Sequence, residues 1–498
     1  MKVARVVGSG IVPLVLVTLF GMARPFASSA QASGGCTHYV DNQAPAGGNG
    51  SLNAPWNLLD SSFPKLQPGQ VLCVRGNTGG SARIYAEYVF TVDGVNGERN
   101  GTAQAPIIVR TYPGESVMLR ATGAEIVLEI RDVSYWVFDG FNFDGQTTKR
   151  TGVTLVRAHS HILRNCDVHH TRHDGINVYL SHNTLIENCA IHHVNAGLNQ
   201  DGTGVILNGS NFATVRGSTL YDLRGDGVGL NNEFGSVSGT LIENNHIYTT
   251  LGRCSENAID MKMGGPLTTI IRGNRMHGFR RNDSSCGGTG GGLGEAVIIH
   301  EAATNVTLDR NEIYDSATGM TITGDDVYLT NNLVHDLVRD PSAWAGIGIY
   351  VYDCSAIELR HNTLANLPDA AMWISNVSGF KLHNSLFFNA GRVMQDGANS
   401  ISANFNGWFA MPGRLAGAND VLTGTPGFVS PADYRLIPGS ITVDAGTSNY
   451  SVSTDFDGAP RPYGNAPDLG AFEVQAPPTV TTLRALTGSN DGGTATIT

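Results

Sequence analysis

Basic residues are scarce in this chain. Lys and Arg number 32 against 43 Asp and Glu, the formal net charge is -11, and charged residues make up only 15% of 498 positions. Nucleic-acid binding needs a basic field, so the composition argues against nucleic acid as a partner. An acidic ligand has to be met locally, by a few cations or a bound metal ion. No long amphipathic helical pattern occurs, and no apolar run is long enough to span a membrane. The Gly-rich run from Cys286 to Gly294 lacks the Lys-Ser/Thr that a phosphate loop requires, and reads instead as a flexible lid. What is abundant is glycine, at 62 residues, which together with frequent Asn and Thr suits an all-β chain with many turns.

The N-terminus has the layout of an export signal. Lys2 and Arg5 precede the apolar stretch Ile11–Phe20, and Ala30-Gln31-Ala32 offers a small-x-small cleavage site. The expectation is a soluble, secreted monomer, extracellular or periplasmic, cut near Ala32, in a compartment that permits disulfides. Cys36 and Cys73 flank the entry segment and could close it. Cys254 and Cys286 lie in loops before consecutive strands, and Cys354 has no evident partner.

A two-part repeat dominates the middle of the chain. Its first part reads Gly/Ala-apolar-x-apolar-x, beginning its apolar alternation at Val205, Val228, Ile259, Val297, Met320, Ile347 and Met372, with spacings of 23, 31, 38, 23, 27 and 25 residues. Strand-like alternation at that period is the mark of a coiled β-solenoid. The second part reads apolar-x-x-Asn-x-apolar and predicts a column of Asn245, Asn274, Asn311, Asn332, Asn362 and Asn384, continued backwards by Ser218, Cys189 and Cys166. Buried amides stacked at a turn satisfy one another. The two cysteines are expected there as buried thiols. The expected architecture is therefore an all-β, right-handed parallel β-helix with N-terminal and C-terminal caps. Its segments are a signal peptide (1–32), an N-terminal cap with the first strands (33–105), the β-helix core (106–395), a C-terminal cap (396–475), and a linker or the start of a further module (476–498).

Alternate strand residues face opposite ways. With Val205/Leu207, Ile259/Met261 and Val297/Ile299 pointing inward, the outward positions read Asn177/Tyr179, Ile206/Asn208, Gly229/Asn231, Asp260/Lys262, Ile298/His300, Thr321/Thr323 and Gly348/Tyr350. Asp260, Lys262 and His300 should thus meet on one outer face, on rungs roughly 4.8 Å apart. Loops entering these strands carry Arg172, His173, Asp174, Asp201, Arg224, Asp226, Arg253, Glu256, Asn257, Arg280, Arg281 and Glu295, and would rim a groove suited to a polymer. The pairs His169-His170 and His192-His193 start equivalent loops on adjacent rungs and are read as stacked turn residues, not a zinc site.

The run Ser255-Glu256-Asn257-Ala258-Ile259-Asp260-Met261-Lys262, followed by Thr269-Ile270-Ile271-Arg272-Gly273-Asn274, is similar to the catalytic rung of the alginate lyase and chondroitinase B family. The resemblance implies a base at Lys262. His300 stands where that family has Arg, and Asn257 where it has an acidic calcium ligand. The same run also resembles the end of the motif of Lys-dependent pectate lyases. The segment from Tyr39-Val40-Asp41 to Val71-Leu72-Cys73-Val74-Arg75 resembles the capping start of secreted β-helix lyases. Asp455-Phe456-Asp457-Gly458 and Asp468-Leu469-Gly470-Ala471-Phe472-Glu473 resemble the closing segment of exported β-helix proteins.

Such lyases remove the proton beside a sugar carboxylate and then expel the linked sugar. That proton becomes acidic only when a cation neutralises the carboxylate. Lys262 is the candidate base, with Arg280, Arg281, His300 and Tyr350 as its catalytic company. Asp226, Glu256, Asn257, Asp260 and Glu295 are candidate Ca²⁺ ligands. Tyr179, Asn208, Asn231, Arg224 and Arg253 are candidate contacts to an acidic polysaccharide. Two other readings stay open: a glycoside hydrolase using paired carboxylates such as Asp260 and Glu295, and a non-catalytic glycan-binding surface protein. No Asp-Pro-His motif of C5-epimerases is present.

Overall fold

Alternating apolar residues fold here as short strands, because each buries every second side chain against the coil interior. Val205, Leu207, Ile259, Met261, Val297 and Ile299 all lie in one continuous buried core. The computed structural model describes residues 35–194, 202–231, 233–250, 255–280, 294–339 and 346–475. Its strands stack in parallel register into a sheet of 14 strands and a second sheet of 23 that covers two faces. One antiparallel pair, Phe428–Ser430 with Asp433–Leu436, follows the coils. The protein is an all-β parallel solenoid, as the repeat predicts. Residues 1–34 and 476–498, with the proposed signal, and the pair Cys254/Cys286 lie outside the described residues.

The turn between the 14-stranded sheet and the next strand sets the register. Its first residue adopts a left-handed conformation, as at Asn165, Asn188, Gly217, Asn244, Gly273 and Asn331. Gly and Asn tolerate that region best. Its second residue points inward and joins the ladder. The backbone N–H and Nδ2 of Asn274 both donate to Oδ1 of Asn311, at 3.1 and 3.0 Å. Asn311 repeats the pattern on Asn332, at 3.0 and 2.9 Å, and its Nδ2 also donates to the Ile271 carbonyl. Asn332 does the same to Asn362.

Two expectations are corrected here. Asn384 is not in the ladder: with φ +55° it fills the left-handed position, and Ser385 and then Asn406 carry the column onward. Asn suits both adjacent positions, so the sequence pattern points one residue early where Asn384 precedes Ser385. Cys166 and Cys189 are not thiols but a disulfide, because neighbouring rungs bring their Cα atoms to 4.5 Å. Cys36 and Cys73 are also bridged, and Cys354 is free and buried.

Both ends of the coil are covered. At the N-terminal end Phe63, on the 3-10 helix Asp60–Lys65, packs edge-on against Trp136 and Phe138. At the other end the chain turns back along the solenoid. Arg461 and Glu473 form a fully buried ion pair at 3.2 Å, and Arg461 also donates to the carbonyls of Asp468, Gly470 and Ala471.

The ladder yields a stability prediction. Asn311→Ala orphans the Asn274 N–H and the Ile271 carbonyl, and costs on the order of 3 kcal/mol. Urea unfolding measures this directly; a loss below about 1 kcal/mol would contradict the role given to the ladder.

Candidate active site

Parallel register turns separate rungs into columns. Tyr179, Asn208, Asn231, Lys262 and His300 occupy one outward column. Two residues earlier, Asn177, Ile206, Gly229, Asp260, Ile298, Thr321 and Tyr350 occupy a second. Three residues earlier again, Asp174, Thr203, Asp226, Asn257, Glu295 and Thr318 form a third column, and every member is buried. Reading the strands only by alternation hides this third column. Its signal was the constant offset of three between Asp226 and Gly229, Asn257 and Asp260, and Glu295 and Ile298.

The columns meet around Asp260. Its Oδ1 lies 3.0 Å from His300 Nε2, and its Oδ2 takes the Lys262 ammonium in a close ion pair. On the preceding rung Asp226 Oδ1 accepts from Asn257 Nδ2 at 3.0 Å. Glu295 Oε1 faces the Thr321 hydroxyl at 3.4 Å. Burial, then the nearby charges of Asp260 and Glu256, push the Asp226 carboxyl well above the usual range. Burial also pushes Asp260 up, but the His300 hydrogen bond and the Lys262 ammonium outweigh it and hold it low. For Lys262, burial favours the neutral amine, yet the charges of Asp226, Asp260 and Glu256 prevail and hold its pKa above the ordinary lysine value. The site is thus one coupled unit, with neighbouring carboxylates driven apart in acidity.

The residue set suits a hard cation. Asn257 Oδ1 is buried without a hydrogen-bond partner among the described residues. On the neighbouring rung, a Cβ at Gly229 would stand 3.5 Å from Asn231 Oδ1, 3.5 Å from the Thr203 methyl and 3.8 Å from Asp226 Oδ2. Carboxylate and amide oxygens are calcium-type donors.

Several candidates stand elsewhere. Tyr350 is not in the Lys262 column; it registers with Thr321, two rungs beyond Ile298, and stacks on Trp373 and Tyr352. Arg280 is ion-paired with Asp315 rather than directed at Lys262. Asn208 is fully buried, its amide donating to Glu233 and accepting from the Phe234 N–H, so it anchors a loop and offers no surface to a ligand. Tyr179 meets Phe234 edge to face, with ring centroids 5.7 Å apart. Arg224 and Glu256 lie in the turns that enter their strands, both half-buried. Asp201, Arg253, Arg281 and most of the Gly-rich run lie outside the described residues. A polar depression of about 590 Å³, lined by Arg272, Arg275, Arg310 and Asp457, lies by the asparagine turns and the C-terminal segment, not at Lys262.

These features define a right-handed parallel β-helix protein with a polar outer face that carries a column of buried acids and amides. Residues 38–290, just over half of the chain, match the family described as "Pel9A-like, right handed beta helix region", and residues 203–387 match the broader right-handed β-helix region. The chain belongs to the Pel9A-like right-handed β-helix family. No curated protein matches it in sequence. Among solved structures it is similar to pectate lyase Pel9A, at 17% identity over 88% of this chain and 96% of that one, with a TM-score of 0.44. It is similar also to the alginate lyase from Paenibacillus sp. str. FPU-7, at 16% identity over 62% and 96%, TM-score 0.43. A third is the Family 28 exopolygalacturonase of Yersinia enterocolitica, at 12% identity over 74% and 78%, TM-score 0.48. At these identities the likeness concerns the fold. Among the described residues no helix is long and apolar enough to cross a membrane.

The coupling predicts a measurable shift. Asp260→Asn removes the carboxylate that grips Lys262, so the Lys262 pKa falls relative to the parent protein. Lysine side-chain NMR titration reads this, and an unchanged value would show that Asp260 does not control the amine.

Proposed function

We propose that the protein is a polysaccharide lyase that cleaves an acidic, uronic-acid-containing glycan by β-elimination, with Lys262 as the base. The observation that carries this reading is the position of Lys262. Its side chain is exposed on the outward column and is gripped by Asp260, whose other oxygen lies against His300.

In that reaction the Lys262 amine takes the proton from C5 of the uronate. The electron pair left behind forms the C4–C5 double bond, the C4–O4 bond breaks, and the departing oxygen takes a proton. His300, whose Nε2 is held by Asp260, is positioned to deliver it. Asn257 with two of the carboxylates Asp226, Asp260 and Glu295 would hold a Ca²⁺ ion, with Glu256 beside them. When bound, such an ion neutralises carboxylate charge on substrate and protein alike and so makes the C5 proton more acidic. The same neutralisation matters to Lys262. Asp226 and Asp260 are what hold its pKa up, and with their charge offset, burial is left to lower it toward the neutral base the reaction needs. Tyr179, Asn231 and Arg224 remain the residues available along the groove to position the polymer. Secretion fits a polymer substrate outside the cell.

A hydrolase is the second reading, favoured by one observation. Asp226 is driven toward the protonated acid while Asp260 is held as the anion, the division of labour that paired-carboxylate glycosidases use.

The two separate cleanly in one assay. Digestion of uronic-acid polymers should raise the ultraviolet absorbance of an unsaturated product, and Lys262→Ala should lower the rate roughly 100-fold or more. New reducing ends without that absorbance, and indifference to Lys262, would replace the lyase with the hydrolase.

A further inference from the structure

The second strand of each coil carries, at its outward end, a continuous stack of rings: His169, His192, Tyr221, Tyr248, His277, Tyr314, His335 and finally Tyr434 from the C-terminal segment. The paired histidines are stacked turn residues, as their sequence positions suggest: His169 lies over His192 and His170 over His193, each at 5.2 Å. Stacking accounts for one ring per rung. It does not account for the second histidine, since beyond His193 the stack continues through Tyr221 and Tyr248, which are followed by Asp222 and Thr249. Nor does it account for the approach within each rung, where Nδ1 of His169 lies 2.6 Å from Nδ1 of His170, and Nδ1 of His192 2.6 Å from Nδ1 of His193.

The outer nitrogens decide what the inner ones offer. His169 Nε2 lies 2.8 Å from Asn142 Oδ1, an oxygen that can only accept, so Nε2 carries the proton. Asn142 is itself oriented by donating its Nδ2 to Asp167 Oδ2 at 3.3 Å. Asp167 Oδ1 in turn lies 3.0 Å from His192 Nε2. In His169, then, Nδ1 keeps its lone pair and accepts the Nδ1–H of His170 at 2.6 Å, a proton that a metal ion could replace. A histidine whose far N–H is fixed by an amide or carboxylate while its near nitrogen stays open is the arrangement found around protein-bound metals.

The first rung supplies a third donor. Asp144 occupies the position before His169 in the same column, where the ring stack ends. Its Oδ1 lies 3.7 Å from His169 Nδ1 and takes the Gln146 N–H at 2.8 Å, while Oδ2 is held by Arg120 at 2.5 Å. One ligand atom each from Asp144, His169 and His170 fall within 4.8 Å of one another, the one such group of His, Cys, Asp and Glu among the described residues.

We propose that Asp144, His169 and His170 form a binding site for a divalent transition metal of the zinc, nickel or copper class, distinct from the Lys262 groove. Two imidazole nitrogens and a carboxylate oxygen are the donors such ions prefer, where calcium prefers oxygen alone. Tetrahedral zinc sets ligand nitrogens about 3.3 Å apart, so the His169–His170 pair needs only a small opening to admit it. His192 and His193 form a second bite one rung on.

The test uses the mature protein without a histidine tag, stripped by chelator and returned to excess calcium to occupy oxygen-rich sites. Zinc titration by calorimetry should show saturable binding with a dissociation constant in the micromolar range or tighter. His170→Asn, chosen because Asn tolerates the positive φ of +53° at this position, and Asp144→Asn should each weaken binding tenfold or more while melting like the parent. Copper loaded at one equivalent should show coupling to two imidazole nitrogens in its electron paramagnetic resonance spectrum. Absence of saturable zinc binding, equal affinity in the folded variants, or copper coupled to fewer than two imidazoles would overturn the site. None of these outcomes depends on whether the groove is catalytic.

Discussion

Everything in this molecule depends on parallel register between successive coils. A parallel β-helix has no pairing of distant segments to correct an error, so each rung must land on the one before it. The buried amide ladder does this from inside: each Asn side chain accepts from the backbone and amide of the preceding rung, and a rung displaced by one residue leaves those groups unpaired. The left-handed turn residue beside each ladder position fixes where the chain bends inward. Loops of very different length can then leave the coil and return without disturbing it, as between Met261 and Val297.

Register is also what creates the site. Asp226, Asn257 and Glu295 are 31 and 38 residues apart in sequence yet stand on consecutive rungs. The neighbouring charges of Asp260 and Glu256, added to burial, raise the Asp226 pKa, while Lys262 and His300 hold Asp260 low. On the proposed reading, a cation that offset this acidic charge would release Lys262 from the interaction that keeps it protonated.

The fold was legible because its signals are periodic. Alternating apolar residues and the Asn ladder repeat often enough to reveal a coil without any knowledge of its partners. The errors come from the same periodicity. Ile347, Ile349 and Val351 alternate, so a shift of two residues leaves the pattern intact, and Tyr350 was expected a step away from its true neighbour Thr321. Asn384 and Ser385 both suit the turn, so the ladder residue was expected one position early. Within the site, the neighbourhood of Asp260, Lys262 and His300 followed from counting rungs. The burial of Asn208 did not, because it depends on the loop at Glu233 and Phe234 folding over it. The raised pKa of Lys262 was out of reach for a similar reason: it balances burial against the charges of Asp260 on its own strand and Asp226 on another rung. The convergence of Nδ1 atoms at His169 and His170 is a matter of ring orientation, which spacing does not encode.

The most direct test of the central claim, that register gathers these columns into one glycan site, is a crystal structure of Lys262→Ala grown with calcium and a uronate oligosaccharide. The account predicts sugar density across Asn231 and His300 and a cation against Asp226, Asn257 and Glu295. Sugar bound on another face, or a groove that binds neither sugar nor cation at saturating concentration, would contradict it.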